Sequence, residues 1–596
     1  MGENKRSNGV ENVNWDLSDL YKGVEDPLIQ TDKQKIQDKA DAFSQKHRGL
    51  IAGYSPDELK TALIEYEEIH DLSGRIGSFA YLIWSTNTEE AAYGKLVQDM
   101  NELSSKINQK LVFFDLEWLA LDNDLAEGFI TDPALRKYRH YLETSRRYKP
   151  HSLEEKEEQL LSAKSVTGSK AWVRYFDETF GAARFKLDGE VLTEQEVLSK
   201  IHEPDRNLRQ RAAESVTTKL NELSRTTTFI FNTLLADKHT NDTFRKFPHW
   251  ITSRNLSNEI SDQSVDSLVQ SVTGRYDLPQ RFYTLKKRLL GLDEMFEYDR
   301  YAPITQNVTN IDWSEAKNMV LESYSGFHSE LGSIASKFFD NNWIDASIKP
   351  GKRGGAYSAG TVPSAHPYVF MNYDGKIRDV QTLAHELGHG VHQYLSREQG
   401  PLQAHTPLTT AETASVFGEM LVFQNLLKTM DDPQEKLSLL VGKIDDTVAT
   451  VFRQVSMNQF EHAIHNARRE EGELTTARIN ELWLKTQKDL YGQSVSLTEN
   501  YSIWWSYIPH FIHTPGYVYA YAFGELLVLA LYGEYSKNPD GFADKYLGLL
   551  KAGGSDWPEN LLARMNMDIN STDFWTNGLN IIDSMIQQAE TLAEKV

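Results

Sequence analysis

The sequence contains no cysteine among its 596 residues. Without thiols the chain forms no disulfides, and it has neither a thiol nucleophile nor a thiolate ligand for a metal ion. A cysteine-free composition fits a reducing compartment. Any metal ion that this protein binds is therefore expected to be held by histidine, aspartate or glutamate side chains.

Positive charge and long apolar runs are also scarce. Lys and Arg total 63 against 85 Asp and Glu, a formal net charge of −22, which repels phosphate backbones and argues against nucleic-acid binding. No apolar run approaches the roughly 20 residues that a membrane span needs. The first residues, MGENKRSNGVENVNW, lack an apolar core of signal-peptide length. These features predict a cytoplasmic protein without a membrane partner.

Most of the chain is predicted to be helical. Apolar residues recur three and four apart in long segments such as PDELKTALIEYEEIHDLSGRIGSFAYLIW and PQEKLSLLVGKIDDTVATVFRQVSMNQFEHAIHNARR. Two stretches indicate β-structure: a hairpin over Phe185–Thr193 around Asp188-Gly189, and a glycine-rich loop, Lys349–Gly360, that leads into a strand. The fold class is therefore mainly α with a small β patch. This length predicts two or more domains, or one very large helical body. We place a domain boundary near residue 195, which divides the chain into residues 1–195 and 196–596.

The segment QTLAHELGHGVHQYL reads as an amphipathic helix that carries residues unfavourable to helices. Asp379 stands where an N-cap is expected. One apolar stripe follows, made of Val380, Leu383, Leu387, Val391 and Leu395. Gly388 and Gly390 each cost the helix roughly 1 kcal/mol relative to alanine. We expect close approach of another backbone, or of a substrate, to compensate for that cost.

His385, Glu386 and His389 form the pattern H-E-x-x-H within this helix. A spacing of four residues brings both imidazoles to one side, where they can ligate the same Zn²⁺. Glu386 points away from the two nitrogens and can instead accept a proton from a water held by the metal. The pattern predicts zinc chemistry, although it also arises by chance in unrelated helices.

Glu412 is the candidate third ligand. The pattern with a third histidine six residues after His389 is excluded, because Leu395 stands at that position, and Glu398 is too close to fold back. Glu412 lies at the start of the next helix, beyond a Gly-Pro turn. Thr409 and Glu412 also match a capping box, a purely structural alternative. Glu419, two turns further on, is either a partner of a ligand or a solvated glutamate.

A second cluster of polar aromatic residues lies near the C-terminus, in HFIHTPGYVYAYAFGE. Hydrolysis of a peptide passes through a tetrahedral oxyanion, which hydroxyl and imidazole donors stabilise. The candidate donors are His510, His513, Tyr517 and Tyr521. An ordinary aromatic core is the alternative for this cluster.

The glycine-rich loop does not fit a phosphate-binding loop, because it lacks the pattern G-x-x-x-x-G-K-[ST]. We interpret Gly354, Gly355 and Ala356 as positions where the backbone approaches an extended peptide. The following strand, YVFMNY, is predicted to be an edge strand, with or without a substrate paired to it.

Together these motifs resemble the M3 family of zinc metallopeptidases, and most closely its oligoendopeptidase F branch. The matching pieces are WDLSDLY, GKRGGAYS, MNYDGKIRDVQTLAHELGHGVHQYLS, AETASVFGE and HFIHTPGYVYAYAFGE, which run in family order through most of the chain. The resemblance implies a large multi-helix peptidase of the zincin (gluzincin) type, with the β patch at the active site and a deep substrate channel. Residues 1–195 would form one wall of the channel, and residues 196–596 would be the catalytic domain.

The resemblance also implies roles for individual residues. His385, His389 and Glu412 would hold one zinc ion per chain, and Glu386 would be the general base. Tyr517, Tyr521 and a histidine would contact the oxyanion or the substrate; both His510 and His513 align, and we favour His513. Val416 stands four residues after Glu412, so the second-shell aspartate of some other zincins is missing.

The predicted function is zinc-dependent hydrolysis of internal bonds in short, unstructured oligopeptides. One alternative is a related exopeptidase that removes C-terminal dipeptides and uses Arg353 to anchor the substrate carboxylate. A second alternative is a helical peptide-binding scaffold without enzymatic activity.

Overall fold

The computed structural model describes residues 8–304 and 310–596. Part of the N-terminal stretch considered for a signal peptide, residues 1–7, lies outside the described residues. The chain is mainly α, as predicted. Its helices are α1 Pro27–His47, α2 Pro56–Thr86, α3 Ala91–Ala120, α4 Asn123–Thr131, α5 Arg139–Arg146, α6 Glu155–Ser165, α7 Ser169–Ala182, α8 Glu194–Ser199, α9 Arg206–Phe244, α10 Thr252–Ser257, α11 Asp262–Thr273, α12 Asp277–Leu289, α13 Trp313–Phe327, α14 Ser329–Asp340, α15 Ile377–Ser396, α16 Leu408–Ala411, α17 Thr413–Thr429, α18 Pro433–Val448, α19 Gln454–Glu471, α20 Thr476–Tyr491, α21 His510–His513, α22 Tyr519–Lys537, α23 Phe542–Ala552, α24 Pro558–Ala563 and α25 Thr572–Ala593.

The predicted hairpin is confirmed. Strands β1 (Phe185–Leu187) and β2 (Glu190–Leu192) pair antiparallel. Asp188 and Gly189 form the turn with φ of 52° and 90°, the left-handed conformation that a two-residue hairpin requires.

A second sheet precedes helix α15. It contains β3 (Ile344–Asp345), β4 (Tyr357–Ala359) and β5 (Tyr368–Phe370) in the order β3-β5-β4, with β3 parallel and β4 antiparallel to β5. The prediction that YVFMNY is an edge strand is therefore wrong. Strand β5 is buried and paired on both sides, so its main chain has no free edge for a peptide, and β4 lies at the edge instead.

Contacts between Cα atoms divide the chain into two compact units. Unit 1 comprises Met1–Lys149, Val308–Lys428 and Tyr535–Met567, and unit 2 comprises Pro150–Asn307, Thr429–Glu534 and Asp568–Val596. Both units are discontinuous in sequence. Residue 195 lies inside the segment Pro150–Asn307 of unit 2, and not where one unit gives way to the other. The division into 1–195 and 196–596 stays a prediction.

Each unit has its own apolar core. In unit 1 the predicted stripe of α15 is buried: Val380, Leu383, Leu387, Val391 and Leu395 are at most 7% exposed. In unit 2 the core includes aromatic rings packed on Phe231, with Trp505 and Phe511 stacked on it and Phe460 tilted against it. No helix in the described ranges is long and apolar enough to cross a membrane.

Candidate functional site

Helix α15 begins three residues earlier than the sequence indicates. Lys376 is the N-cap and Asp379 is the third helical residue, so the prediction of Asp379 as N-cap is wrong. Its carboxylate still stabilises the helix start, because it accepts the amide N–H groups of Asp374 and Lys376 at 2.9 and 3.0 Å. Amides at this end have no partner within the helix, so a carboxylate in the first turn satisfies them.

The two glycines of α15 lie where other elements come closest. A Cβ at Gly388 would lie 2.4 Å from the carbonyl oxygen of Ala414 and 2.6 Å from the Cα of Ser415. A Cβ at Gly390 would lie 2.6 Å from the ring of Phe338 in α14. Gly388 thus allows α15 to pack backbone against backbone on the start of α17, which is the compensation expected from the sequence. This packing brings the residue before α17, Glu412, to the histidines of α15.

We expect Gly388→Ala to lower stability despite the better helix propensity of alanine. The added methyl group overlaps backbone atoms that cannot rotate away, and overpacking of this kind costs about 1–3 kcal/mol. Differential scanning calorimetry should show a lower Tm for Gly388→Ala. The matched control is Gly77→Ala in α2, where a Cβ meets nothing within 4 Å; it should leave Tm unchanged or raise it. Equal Tm values for the two variants would show that the close approach is not needed.

The three predicted metal ligands converge in unit 1. Nε2 of His385 lies 3.3 Å from Oε2 of Glu412, and Nε2 of His389 lies 3.4 Å from the same oxygen. One ligand atom from each of the three residues falls within 4.8 Å of the other two. All three side chains remain partly exposed, so a ligand from outside could reach them.

These separations match what a tetrahedral zinc ion needs. Bonds of about 2.0–2.1 Å at tetrahedral angles separate neighbouring ligand atoms by about 3.3–3.4 Å. The two contacts to Glu412 measure 3.3 and 3.4 Å. Two imidazoles and one carboxylate are also the donor set of open, catalytic zinc sites. The residues present therefore fit a zinc ion.

The electrostatics of these groups also favour metal binding. Burial raises the pKa of Glu412, but the hydrogen bond and charge of His389, with help from His385 and Ser415, outweigh it and lower the pKa to about 2. Burial lowers the pKa of His385, but the hydrogen bond to Glu419 and the nearby carboxylates raise it to about 9. The carboxylate is thus ionised, as a ligand must be, and the carboxylates around His385 favour a cation there, either a proton or a metal ion that displaces it.

The capping-box interpretation of Glu412 is wrong. Thr409 lies inside α16, whose N-cap is Pro407, so Thr409 does not cap a helix. Glu412 occupies the junction between α16 and α17, and its Oε2 accepts a hydrogen bond from Oγ of Ser415 at 2.7 Å while facing the imidazoles.

Glu419 contacts the opposite nitrogen of a candidate ligand. Its Oε2 lies 3.5 Å from Nδ1 of His385. A carboxylate in that place fixes the ring orientation and keeps Nε2 free for a metal. Of the two interpretations of Glu419 in the sequence, the geometry favours the partner of a ligand.

Glu386 faces a cavity beside the two histidines. The cavity has a volume of about 360 Å³, and its lining includes Ala356, Glu386, His389, His392 and His405. Burial raises the pKa of Glu386, partly opposed by the charges of His385 and His389. The backbone N–H of Ser358 in β4 donates a hydrogen bond to its carboxylate. A carboxylate with a raised pKa in a cavity is suited to accept and return a proton.

The three loop residues differ in what surrounds them. Gly354 and Gly355 are exposed, and nothing lies within 4 Å of a Cβ at either position. Ala356 lines the same cavity as Glu386. Asn372 orders this loop, because its Nδ2 donates to the carbonyl oxygens of Arg353 and Gly355 at 3.0 Å each.

In unit 2 the structure brings together His510, Tyr517 and Tyr521. Nε2 of His510 lies 3.1 Å from the hydroxyl of Tyr521, and its ring stacks on Tyr517 with 6.0 Å between centroids. His513 does not join them: its Nε2 lies 2.7 Å from Oδ1 of Asp177, on an exposed surface. The preference for His513 therefore has no support in this geometry, which favours His510.

Other residues hold this cluster in place and were not found from the sequence. Glu461 of α19 is buried and accepts the backbone N–H of Gly516 at 2.8 Å, directly before Tyr517. Gly516 has a φ of +76°, so the turn needs a glycine. The guanidinium of Arg254 lies 6.0 Å from the Tyr517 ring centroid. No local pattern connects these positions, since they are distant in sequence.

Tyr519 is fixed from the opposite side. Its hydroxyl donates to Oδ1 of Asn255 at 2.7 Å and accepts from Nδ2 of Asn258 at 2.8 Å. All three residues are buried. These bonds fix the start of α22, and therefore the direction in which Tyr521, one half-turn further on, leaves the helix.

Comparison with known proteins extends along the whole chain. The model of peptidase family M3 matches residues 199–581, and a model described as oligopeptidase F matches residues 117–185. Oligopeptidase PepF of Bacillus subtilis (strain 168) is 27% identical and aligns with 100% of this chain and 90% of its own. Group B oligopeptidase PepB of Streptococcus agalactiae is also 27% identical, covering 100% and 99%. A solved structure from Chlamydophila abortus shares the fold with a TM-score of 0.86 at 24% identity, covering 98% and 100%. The chain belongs to peptidase family M3.

Proposed function

We propose that this metal-dependent peptidase uses zinc to hydrolyse internal bonds of short, unstructured oligopeptides. The observation that carries the proposal is the convergence of His385 and His389 on one oxygen of Glu412, with Glu386 facing the adjoining cavity. The names of the two oligopeptidases support the choice of oligopeptides as substrates.

His385, His389 and Glu412 would hold the zinc ion, which would supply a Lewis acid that makes water easier to deprotonate near neutral pH. Glu386 takes the proton from the attacking water and keeps it on a carboxylate shielded by the cavity. The same carboxylate then gives the proton to the amine that leaves when the peptide bond breaks. One residue thus serves as base and acid in turn.

We assign His510, Tyr517 and Tyr521 to the stabilisation of the oxyanion. The pKa of His510 is lowered by burial and by the charges of His513 and Arg453, so the imidazole is neutral at pH 7 and donates one hydrogen bond. The hydroxyls of the two tyrosines are further donors, and such groups contribute when they are fixed in advance. The contacts of Glu461 and Tyr519 provide that fixation in unit 2.

The peptide is proposed to lie along the loop Gly354–Ala356 in a substrate channel of which residues 1–195 form one wall. We further propose a cytoplasmic location, because the chain has no cysteine, and no nucleic-acid partner, because its net charge is −22.

Digestion of a peptide library tests the proposed activity. Peptides blocked at both ends are incubated with the protein, with and without a metal chelator, and the products are identified by mass spectrometry. We expect internal cleavage of the blocked peptides, its loss with chelator and its recovery when Zn²⁺ is added back. Cleavage restricted to unblocked C-termini would support the exopeptidase with Arg353 as anchor. Absence of cleavage in every condition would support the scaffold.

A further inference from the structure

Unit 2 contains a group of buried cations with few carboxylates to balance them. Lys286 and Arg300 are only 1% and 3% exposed. Lys286 pairs with Asp445 and also donates to the carbonyl oxygen of Arg300. Asp445 is thus already neutralised by one cation. Burying an ion without a counter-charge is costly, so the partners of the other cations need to be identified.

Arg300 is satisfied by neutral groups. It donates to the carbonyl oxygen of Glu297 at 2.9 Å, to the hydroxyl of Tyr501 at 3.1 Å and to the hydroxyl of Tyr491. Aromatic rings of Tyr301, Tyr491 and Tyr501 surround its guanidinium within 5.2 Å. These hydroxyl, carbonyl and ring contacts enclose the charged guanidinium of Arg300, so it needs no further ligand.

Arg453 differs from Arg300 because part of its guanidinium makes no hydrogen bond. Nη1 donates to the hydroxyl of Tyr301 at 2.5 Å, whereas Nε is buried and has no hydrogen-bond partner. Over residues 8–304 and 310–596, no aspartate or glutamate forms an ion pair with Arg453. The chain has 85 acidic residues, so a low content of acidic residues does not explain why none is paired with Arg453. Arg453 is also partly exposed, which leaves it open to a ligand.

The backbone that presents Arg453 is itself irregular. Ala449–Arg453 forms a π-helical turn between α18 and α19, and Arg453 is its last residue. A π-turn replaces the regular hydrogen bonds of an α-helix, and such turns occur frequently at functional sites. The side chain of Arg453 contacts Tyr301, and its charge acts on His510.

The surroundings of Arg453 carry a positive potential. Burial raises the pKa of Tyr301, but the charges of Arg453 and Arg300 outweigh it and lower the pKa below its ordinary value. Arg453 also contributes to the lowered pKa of His510, after burial and His513. Tyr301, Tyr507 and His510 are all partly exposed. Lys286 is paired with Asp445, whereas Arg300 and Arg453 have neutral hydrogen-bond partners, and this excess of positive charge favours an anion in this part of unit 2.

We propose that Arg453 binds a carboxylate of the peptide substrate, with Tyr301 holding the guanidinium in position. Arginine suits this role because its planar fork matches a carboxylate with two parallel hydrogen bonds. Nε is buried, so the ligand approaches the outer edge of the guanidinium, formed by Nη2 and by the N–H of Nη1 that Tyr301 does not occupy. This inference rests on the proposed peptidase function. The carboxylate belongs either to the C-terminus of the peptide or to a glutamate or aspartate side chain within it.

Four internally quenched peptides of one common sequence test the proposal and distinguish the two sources. The first pair differs only in a free or amidated C-terminus. The second pair is amidated and differs only in one internal Glu or Gln. KM and kcat are measured for the wild type, Arg453→Gln, Arg453→Lys and the control Arg478→Gln. Arg478 of α20 is already paired with two carboxylates, Glu471 at the end of α19 and Glu481 of α20.

For the wild type we expect KM to be about tenfold lower for the carboxylate member of one pair, the effect of a hydrogen bond to a charged group. Arg453→Gln should bring that ratio close to one while still cleaving the neutral peptides. Arg453→Lys should retain part of the ratio, since it keeps the charge but loses the fork. Arg478→Gln should behave like the wild type. The pair that responds identifies the source of the carboxylate.

Two results would overturn the proposal. One is a wild type with equal KM values within both pairs. This measurement does not depend on the folding of any variant. The other is an unchanged ratio in Arg453→Gln with an intact circular dichroism spectrum. If Arg453→Gln does not fold, the wild-type ratios and Arg453→Lys decide. Failure of the wild type to cleave any of the four peptides contradicts the proposed peptidase function instead.

Discussion

Replacing Glu386 by glutamine is expected to abolish most peptidase activity without loss of metal. Glutamine has nearly the same shape and keeps the acceptor for the N–H of Ser358, but it cannot take a proton from water. General acid–base catalysis contributes roughly 10²–10⁴-fold, so kcat should fall by at least that range, with KM little changed. Steady-state kinetics on a blocked peptide and metal analysis of the same preparation check both parts.

The matched control for this variant is Glu398→Gln. Glu398 lies just beyond the end of α15 and is exposed, so the same chemical change there should leave kcat and metal content as in the wild type. Turnover by Glu386→Gln within a few-fold of the wild type would remove this residue from the role of general base. Loss of metal from Glu386→Gln would mean that the residue supports the metal centre rather than proton transfer.

Replacing Glu412 by alanine is expected to remove the metal and, with it, the activity. Glu412 supplies the only carboxylate among the three converging ligands, and its oxygen is shared by both imidazoles. Changing a partner that only supports a ligand costs roughly 10–100-fold in metal affinity. Loss of a ligand should cost more. Zinc titration after treatment with chelator, followed by measurement of activity, gives the affinity directly.

Glu419→Gln provides the graded comparison. Glu419 contacts His385 at Nδ1, the ring nitrogen that does not face Glu412, so the effect of Glu419→Gln on zinc affinity should fall within the roughly 10–100-fold range and below that of Glu412→Ala. Excess zinc should restore most of the activity of Glu419→Gln and little of that of Glu412→Ala. Full zinc content in Glu412→Ala, together with a lower Tm, would return Glu412 to a purely structural role.

Local features of this chain could be predicted from the sequence with few errors. The buried stripe of α15 and the common side of His385 and His389 follow from helical periodicity, which involves residues within two turns. The hairpin follows from Asp188-Gly189, where two successive residues must adopt positive φ. The start of α15 was misplaced by three residues, because an aspartate in the first turn satisfies amides as well as an N-cap does.

Predictions that depended on distant partners were less certain, and some were wrong. The sequence allowed Glu412 to be a ligand or part of a capping box, because both roles require a carboxylate at the same place. It allowed His510 or His513 beside the tyrosines, because both lie on one short helix. It placed YVFMNY at the edge of a sheet, because a strand of this length reads the same whether one or both sides are paired.

The sequence by itself therefore determined that two imidazoles and the candidate general base share one helix, and which family the chain resembles, since those depend on residues close together. Only the tertiary structure decided which carboxylate and which histidine complete each cluster. The physical reason is that these choices depend on the packing of separate helices. Gly388 allows the backbone of α15 to approach that of α17, and Glu461 fixes the turn before Tyr517 across more than fifty residues of chain.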